Sequence, residues 1–163
     1  AKLYPLSGDP ALKNQQRVQN FFDNPGKESV EQIAQELKTT MTNNCGVFRD
    51  GEHLQLAMRD IKQLQQRFRQ ARVMDKSTRF NTDILAALEA EHLLSFSEVI
   101  VAGAIERKEC RGAHWRTDFG RRDDQNWLKH TLAHRQGEGE GPKLSYKSVN
   151  INYEKYPPQE RKY

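Results

Sequence analysis

The chain has 163 residues, of which 36% are hydrophobic and 29% are charged, and its mean hydropathy is −0.92. This length predicts one domain, alone or with an appendage. A membrane span is excluded because Ser95, Ser97 and Glu98 interrupt the most apolar stretch (93–105). The first residues contain no apolar segment typical of a signal peptide. The chain begins with Ala1 rather than Met, as a processed product or an excised fragment does.

The net charge of +4 is unevenly distributed. Residues 1–105 carry 13 basic and 13 acidic side chains, whereas residues 106–163 carry 13 basic and 9 acidic ones. The whole basic excess therefore lies in the last third, which predicts different roles for the two parts. One hypothesis is a stand-alone basic helical module that binds nucleic acid, although dedicated binders usually have a denser basic cluster.

Helical signals strengthen along the first hundred residues. Turn residues bracket a candidate short helix at Ala11–Asp23. Ser29 is a candidate N-cap with Gln32 at the capping-box position. Apolar residues then follow at helical spacing as far as Met41, and Gly46 is predicted to be a left-handed cap.

Two longer helices are predicted next. One spans about 52–73 and has a narrow apolar stripe. The other begins near Thr82, and its apolar face is so broad that we expect it to be buried nearly all round. We expect the helix that follows Ser29 and the helix at about 52–73 to cover one side of it, and another surface to cover the other side. His92 lies on this broad face and is predicted to be a core histidine satisfied by a hydrogen bond.

These elements predict a mainly α fold, an antiparallel three-helix bundle followed by a charged extended or hairpin-containing C-terminal segment. The predicted parts are a lead-in with the candidate short helix (1–28), the three-helix bundle (29–110) and an extended basic docking segment (111–163). In the last part, Leu128–Arg135 and Leu144–Ile151 flank a Gly-rich loop and are candidates for a β-hairpin. The segment has few apolar residues, so it is expected either to be disordered or to lie on a partner surface.

The sequence contains no motif that cradles a phosphate or activates a serine. Asp123 and Asp124 follow two arginines. We interpret the two carboxylates as balancing the charge of these arginines rather than as an acid–base pair. A small zinc-binding domain is a further hypothesis, but the spacing of its four candidate ligands is loose. They are Cys110, His114, His130 and His134. We therefore predict no catalytic, cofactor-binding or metal-binding residues in this chain.

Several runs of residues resemble one family of flavoproteins. Glu109–Phe119 and Arg122–Thr131 resemble the run E-S-R-G-A-H-x-R-x-D-F-P-x-R-D-D-x-x-W-L-K-H-T. Met41–Arg49 resembles M-x-x-N-x-G-V-x-R, Phe80–Asp83 matches F-N-T-D, and Pro157–Tyr163 resembles P-P-x-x-R-x-Y. These motifs mark the C-terminal helical domain of the flavoprotein subunit of succinate dehydrogenase and fumarate reductase.

The resemblance implies a domain that packs on and stabilises the FAD-binding domain of an enzyme that interconverts succinate and fumarate. FAD and a capping domain belong to the rest of such a subunit, which passes electrons to an iron–sulfur subunit. The chain is therefore expected to hold no cofactor, not to be catalytic by itself, and not to bind nucleic acid. The implied location is cytoplasmic and peripheral to the membrane, through the parent complex and without direct insertion. The C-terminal domain of an L-aspartate oxidase is an alternative.

Five residues in the matching run are expected to bind the missing flavin domain through charge-assisted hydrogen bonds and one aromatic anchor. They are Arg111, His114, Arg116, Asp118 and Trp127. Without that domain they are expected to lack partners, and the alternative is that they brace the local loop against the bundle. Cys110 replaces the Ser of the family pattern and is a weaker donor. Gly120 replaces Pro and is expected to loosen a turn.

Overall fold

The computed structural model describes residues 8–137, 139–151, 154–157 and 159. Its helices are α1 (Pro10–Asp23), α2 (Val30–Asn44), α3 (Gly51–Phe68), α4 (Thr82–Glu106) and α5 (Asp124–Trp127). Its strands are β1 (Glu28–Ser29), β2 (Phe48–Arg49), β3 (Ala71–Arg72), β4 (Trp115–Arg116), β5 (Lys129–His134) and β6 (Lys143–Ser148). The predicted mainly α fold is confirmed.

Polar side chains define where the long helices begin. The Ser29 hydroxyl oxygen accepts a hydrogen bond from the Gln32 N–H (3.2 Å), so the predicted N-cap is present. The Gln32 side chain donates to Glu36 instead of closing a capping box. Asp50 and Asn81 cap α3 and α4 in the same way as Ser29 caps α2.

Two predicted helix ends differ from the structure. The prediction that α3 reaches residue 73 is wrong, because the helix ends at Phe68 and β3 then pairs in parallel with β1. This pairing ties the end of α3 to the start of α2. The prediction of a left-handed Gly46 is also wrong. Instead α2 ends at Asn44, and the N–H of the C-cap residue Cys45 donates to the Met41 carbonyl at 3.1 Å.

The hydrophobic core lies between α2, α3 and α4, which contact one another pairwise, while α1 contacts α4. Ile33, Leu54 and Val101 contribute one fully buried side chain from each of these three helices. Phe21 of α1 joins the core through an edge-to-face contact with Phe68, with ring centroids 5.9 Å apart. The antiparallel course of the bundle and the division of the chain at residues 28 and 110 stay predictions.

One side of α4 is exposed, contrary to the prediction of burial nearly all round. The inner side places Ala87, Leu94 and Val101 in the core, whereas the opposite side faces outward. His92 is exposed and is therefore not a core histidine; its Nε2 lies 3.0 Å from Arg17 Nη2. The prediction was wrong because apolar residues all round a helix indicate burial without saying whether the covering surface belongs to the same chain.

The segment after α4 folds back against the helices. β4 pairs in parallel with β2, which lies between α2 and α3. β5 and β6 form an antiparallel hairpin that runs from Lys129 opposite Ser148 to His134 opposite Lys143, so the predicted hairpin is present. The run that resembles P-P-x-x-R-x-Y (157–163) lies mostly outside the described residues. Among the described helices, none combines the length and the hydropathy that a membrane span requires.

Candidate docking interface

Arg116 closes the C-terminal end of α4 from within the protein. Its side chain is buried, and its backbone is held by the pairing of β4 with β2. Nη1 donates to the carbonyls of Ala104 (2.8 Å) and Ile105 (3.1 Å). Carbonyls in the last turn of a helix lack partners within the helix, and a cation there also meets the negative end of the helix dipole. Arg116 therefore stabilises the end of α4.

Asp118 connects Arg116 to the start of α3. Its carboxylate accepts hydrogen bonds from Arg116 Nε and Nη2, both at 2.8 Å. Oδ2 also accepts a hydrogen bond from the N–H of Gly51, the first residue of α3, at 3.0 Å. The hydrogen bonds from Arg116, and to a lesser extent from Gly51, lower the pKa of Asp118 to about 2. One ion pair thus joins the negative end of α4 to the positive end of α3.

His114 is half-buried between two arginine residues. Its Nε2 lies 2.9 Å from the Arg107 carbonyl oxygen, and its Nδ1 lies 3.2 Å from Arg49 Nη1. A guanidinium can only donate, so Nδ1 accepts, and the ring is neutral with its proton on Nε2. Burial lowers the pKa of His114, and the positive charges of Arg49, Arg116 and Arg107 lower it further.

Glu109 is the most deeply buried carboxylate of this segment, and the sequence analysis did not select it. It accepts hydrogen bonds from Arg107 Nη1 (2.6 Å), Arg111 Nε (2.7 Å) and the N–H of Asp123 (2.8 Å). Burial opposes its ionisation, but these hydrogen bonds outweigh burial and hold the pKa of Glu109 below its usual range. The sequence signal for this site is that Glu109 has an arginine two residues before it and another two residues after it.

Arg111 connects this buried carboxylate to the surface. Besides Glu109, it binds Asp124 Oδ1 through Nη2 at 2.6 Å. Asp124 also accepts a hydrogen bond from Arg122 Nε at 2.7 Å, and Asp123 caps α5 by accepting from the Asn126 N–H. The two neighbouring aspartates therefore serve local charge pairing and helix capping.

Trp127 attaches the hairpin to the end of α4. Its ring meets Tyr146 edge to face, with centroids 5.9 Å apart. The guanidinium carbon of Arg107 and the ammonium nitrogen of Lys129 lie 5.2 Å and 4.6 Å from the ring centroid. Arg107 also donates to the carbonyls of Trp127 (3.0 Å) and Lys129 (2.8 Å). Arg107 is also not among the five predicted docking residues, although it directly follows α4.

All five predicted docking residues thus have partners inside this chain. The expectation that they lack partners without a flavin domain is wrong, because the segment that carries them folds back on the ends of α3 and α4. Their geometry supports the alternative interpretation, in which they brace this segment against the helices. Additional contact with a flavin domain stays a prediction.

The four candidate zinc ligands are not brought together. Cys110 Sγ donates to the Arg116 carbonyl at 3.3 Å, and His134 Nε2 lies 2.6 Å from Ser145 Oγ. In the part of the chain that the structure describes, no three His, Cys, Asp or Glu side chains are grouped to hold a metal ion. Both cysteines are buried free thiols.

Residues 34–163 match the family described as the C-terminal part of the fumarate reductase flavoprotein. The chain belongs to this family. Its relatives include the fumarate reductase flavoprotein subunits of Haemophilus influenzae (41% identical over 147 residues) and Escherichia coli (39% over 151 residues). The matches cover 90% and 91% of this chain but only 24% and 25% of those relatives. The chain therefore spans about a quarter of the length of these flavoproteins.

Solved structures place the same fold in related reductases. A quinol fumarate reductase of E. coli superposes with a TM-score of 0.86 at 35% identity, covering 94% of this chain and 27% of that one. Adenylylsulfate reductase of Archaeoglobus fulgidus superposes with a TM-score of 0.75 at 16% identity, which shows the fold alone. The matches favour a fumarate reductase-type flavoprotein C-terminal domain over a stand-alone nucleic-acid-binding module. The fold by itself does not specify the reaction.

This fumarate reductase-type domain departs from the family pattern at two positions near Arg116. Gly120 has a φ of +68°, and its N–H donates to the Arg116 carbonyl at 2.9 Å. Proline can adopt neither that φ nor that hydrogen bond. Gly120 therefore forms a turn that proline could not form, and the expectation that it loosens the turn stays a prediction. Cys110 acts as a donor to the same carbonyl.

Proposed function

We propose that this chain is the C-terminal domain of the flavoprotein subunit of a succinate dehydrogenase or fumarate reductase. The observation that carries the proposal is the match of about nine-tenths of the chain, at 41% identity, to a fumarate reductase flavoprotein subunit. A succinate dehydrogenase flavoprotein subunit of Coxiella burnetii is 34% identical over 137 residues. The parent enzyme interconverts succinate and fumarate with FAD and passes electrons to an iron–sulfur subunit. It lies in the cytoplasm, at the periphery of the membrane.

FAD belongs to the remainder of the subunit in this proposal. The described strands of this chain form two-stranded pairs rather than the larger parallel sheet of a dinucleotide-binding fold. No described strand leads through a Gly-rich turn into a helix, which is the arrangement that binds a pyrophosphate. In this proposal the role of the chain is to support the flavin and capping domains by packing on them.

Reconstitution tests this proposal. The flavin-binding and capping part of the parent subunit is expressed separately and mixed with this chain. Complex formation, flavin retention and electron transfer from succinate to a dye are then measured. We expect the chain to bind and to raise flavin retention or activity, and to transfer no electrons alone. A mixture in which the chain neither binds nor changes flavin content or activity would contradict the proposal.

A further inference from the structure

The outer face of α4 is an apolar surface that the described residues leave open. We define it as Leu85, Leu93, Phe96, Ile100 and Gly103. The four large side chains are 55%, 53%, 64% and 39% exposed, in that order. Their spacing of eight, three and four residues places them on one side of the helix, along about 22 Å at 1.5 Å per residue.

The other helices of the bundle do not share this feature. In α2 and α3, whose residues are all described, no large hydrophobic side chain is exposed. Single exposed apolar residues are ordinary on a protein surface, but a row of four along one helix marks an interaction site. The packing of α2, α3 and α4 against one another therefore does not explain why α4 exposes these side chains.

Gly103 provides an independent observation at the C-terminal end of the same face. It lies two turns after Phe96, and a Cβ built on it meets no atom within 4 Å. Glycine destabilises the interior of a helix relative to alanine, and nothing in the described chain requires its small size. A glycine on this face permits the backbone of a partner to approach closely.

Charge distinguishes between two occupants of this face. Of the five acidic residues of α4, Glu91 and Glu98 pair with Arg17 and Lys62, whereas Glu89 is exposed on the outer face itself, one turn from both Leu85 and Leu93. A second copy using the same face would bring the Glu89 carboxylates of the two copies close together, which is unfavourable. About three quarters of the length of the related flavoprotein subunits lies outside this chain. That remainder is a partner large enough to cover the face.

We propose that the outer face of α4 docks on the flavin-containing remainder of the subunit, in an apolar groove with a basic side chain opposite Glu89. This inference rests on the proposed function and names the surface through which it operates. Hydrophobic contacts provide most of the binding free energy of such an interface, and a pair of opposite charges within it provides specificity. The five predicted docking residues then hold the ends of α3 and α4 in place, and α4 provides the contact.

Cysteine accessibility tests this surface in the full-length flavoprotein subunit. Phe96→Cys is introduced into the isolated chain and into the full-length, flavin-loaded subunit, and its reaction rate with a thiol reagent is measured. Cys45 and Cys110 are buried, so the unsubstituted proteins give the background rate. Gln55→Cys, at an exposed position of α3, is the matched control.

We expect Phe96→Cys to react at least tenfold more slowly in the full-length subunit than in the isolated chain. The rate at Gln55→Cys should change by less than about twofold. Equal rates for Phe96→Cys in the two proteins would overturn the inference while leaving the proposed function intact. A full-length subunit that neither binds flavin nor oxidises succinate would overturn the proposed function and, with it, this inference.

Gly103→Leu tests the close approach separately. The isolated variant should melt at or above the temperature of the unsubstituted chain, because the space is open and leucine is the better helix former. In the full-length subunit the same change should lower the melting temperature and increase flavin loss. Unchanged melting and flavin content there would show that no backbone approaches Gly103.

Discussion

Replacement of Arg116 by alanine is expected to destabilise the domain strongly, because Arg116 joins the ends of two helices. The change removes hydrogen bonds to Ala104 and Ile105 and a bidentate pair with Asp118. Removal of one partner from a buried ion pair costs about 3–5 kcal/mol. Water compensates part of this loss, since the side chain of Asp118 is 35% exposed. We therefore expect the free energy of unfolding to fall by about 3 kcal/mol.

Arg122 provides a matched control within the same segment. It also pairs with an aspartate two residues later, and its Nε lies 2.7 Å from Asp124 Oδ1. Both of these side chains are about a third or more exposed, at 32% and 41%. Exposed ion pairs contribute about 0–1 kcal/mol, so Arg122→Ala should cost less than about 1 kcal/mol. Arg116→Lys keeps the charge but loses the bidentate geometry. Its free energy of unfolding should lie between those of Arg116→Ala and Arg122→Ala.

Urea denaturation of the isolated chain, followed by far-ultraviolet circular dichroism, measures these differences. The free energy of unfolding in water and its dependence on urea are compared for the three variants and the unsubstituted chain. If Arg116→Ala lost no more stability than Arg122→Ala, with an unchanged dependence on urea, the assignment of Arg116 as the link between α3 and α4 would be refuted.

Three further changes test the surrounding network. The pKa of His114 is lowered in the folded chain, so the unfolded state takes up a proton first as the pH falls. Stability should therefore decline from about pH 6.5 downward until the folded ring protonates. His114→Gln, whose amide can both donate and accept, should flatten this decline in denaturation midpoints measured at each pH. Gly120→Pro should cost about 3 kcal/mol or more in thermal unfolding, and Gly120→Ala about 1–2 kcal/mol. Stability of Gly120→Pro equal to that of the unsubstituted chain would refute the left-handed turn. Glu109→Gln leaves Arg107 and Arg111 facing a buried amide and should cost about 3 kcal/mol or more in urea denaturation. An unchanged midpoint would contradict the role of the Glu109 carboxylate.

Local signals predicted the helices and the hairpin because neighbouring residues determine them. The Ser29 cap, the start of α4 at Thr82 and the hairpin around the Gly-rich loop all follow from side chains within a few residues. The end of α3 was not predictable in this way. Residues 71–72 leave the helix to pair with residues 28–29, and that partner is distant in the sequence.

The polar network was less accessible to sequence analysis than the fold. The sequence shows where charges lie but not which groups the fold places beside them. Glu109 and Arg107 become central because the segment after α4 turns back, so that three donors converge on one carboxylate. His92 was misplaced for a related reason. Helical spacing put it on an apolar face, but only the packing of the other helices shows that this face is exposed.

Two arginines of the C-terminal segment satisfy backbone carbonyls inside this chain. Arg116 donates to two carbonyls at the end of α4, and Arg107 donates to the carbonyls of Trp127 and Lys129. Each of these guanidinium groups also pairs with a carboxylate, Arg116 with Asp118 and Arg107 with Glu109, so both charges are balanced within this chain. The same arrangement neutralises the negative end of α4 and leaves its apolar outer face, not its charged end, available for a partner.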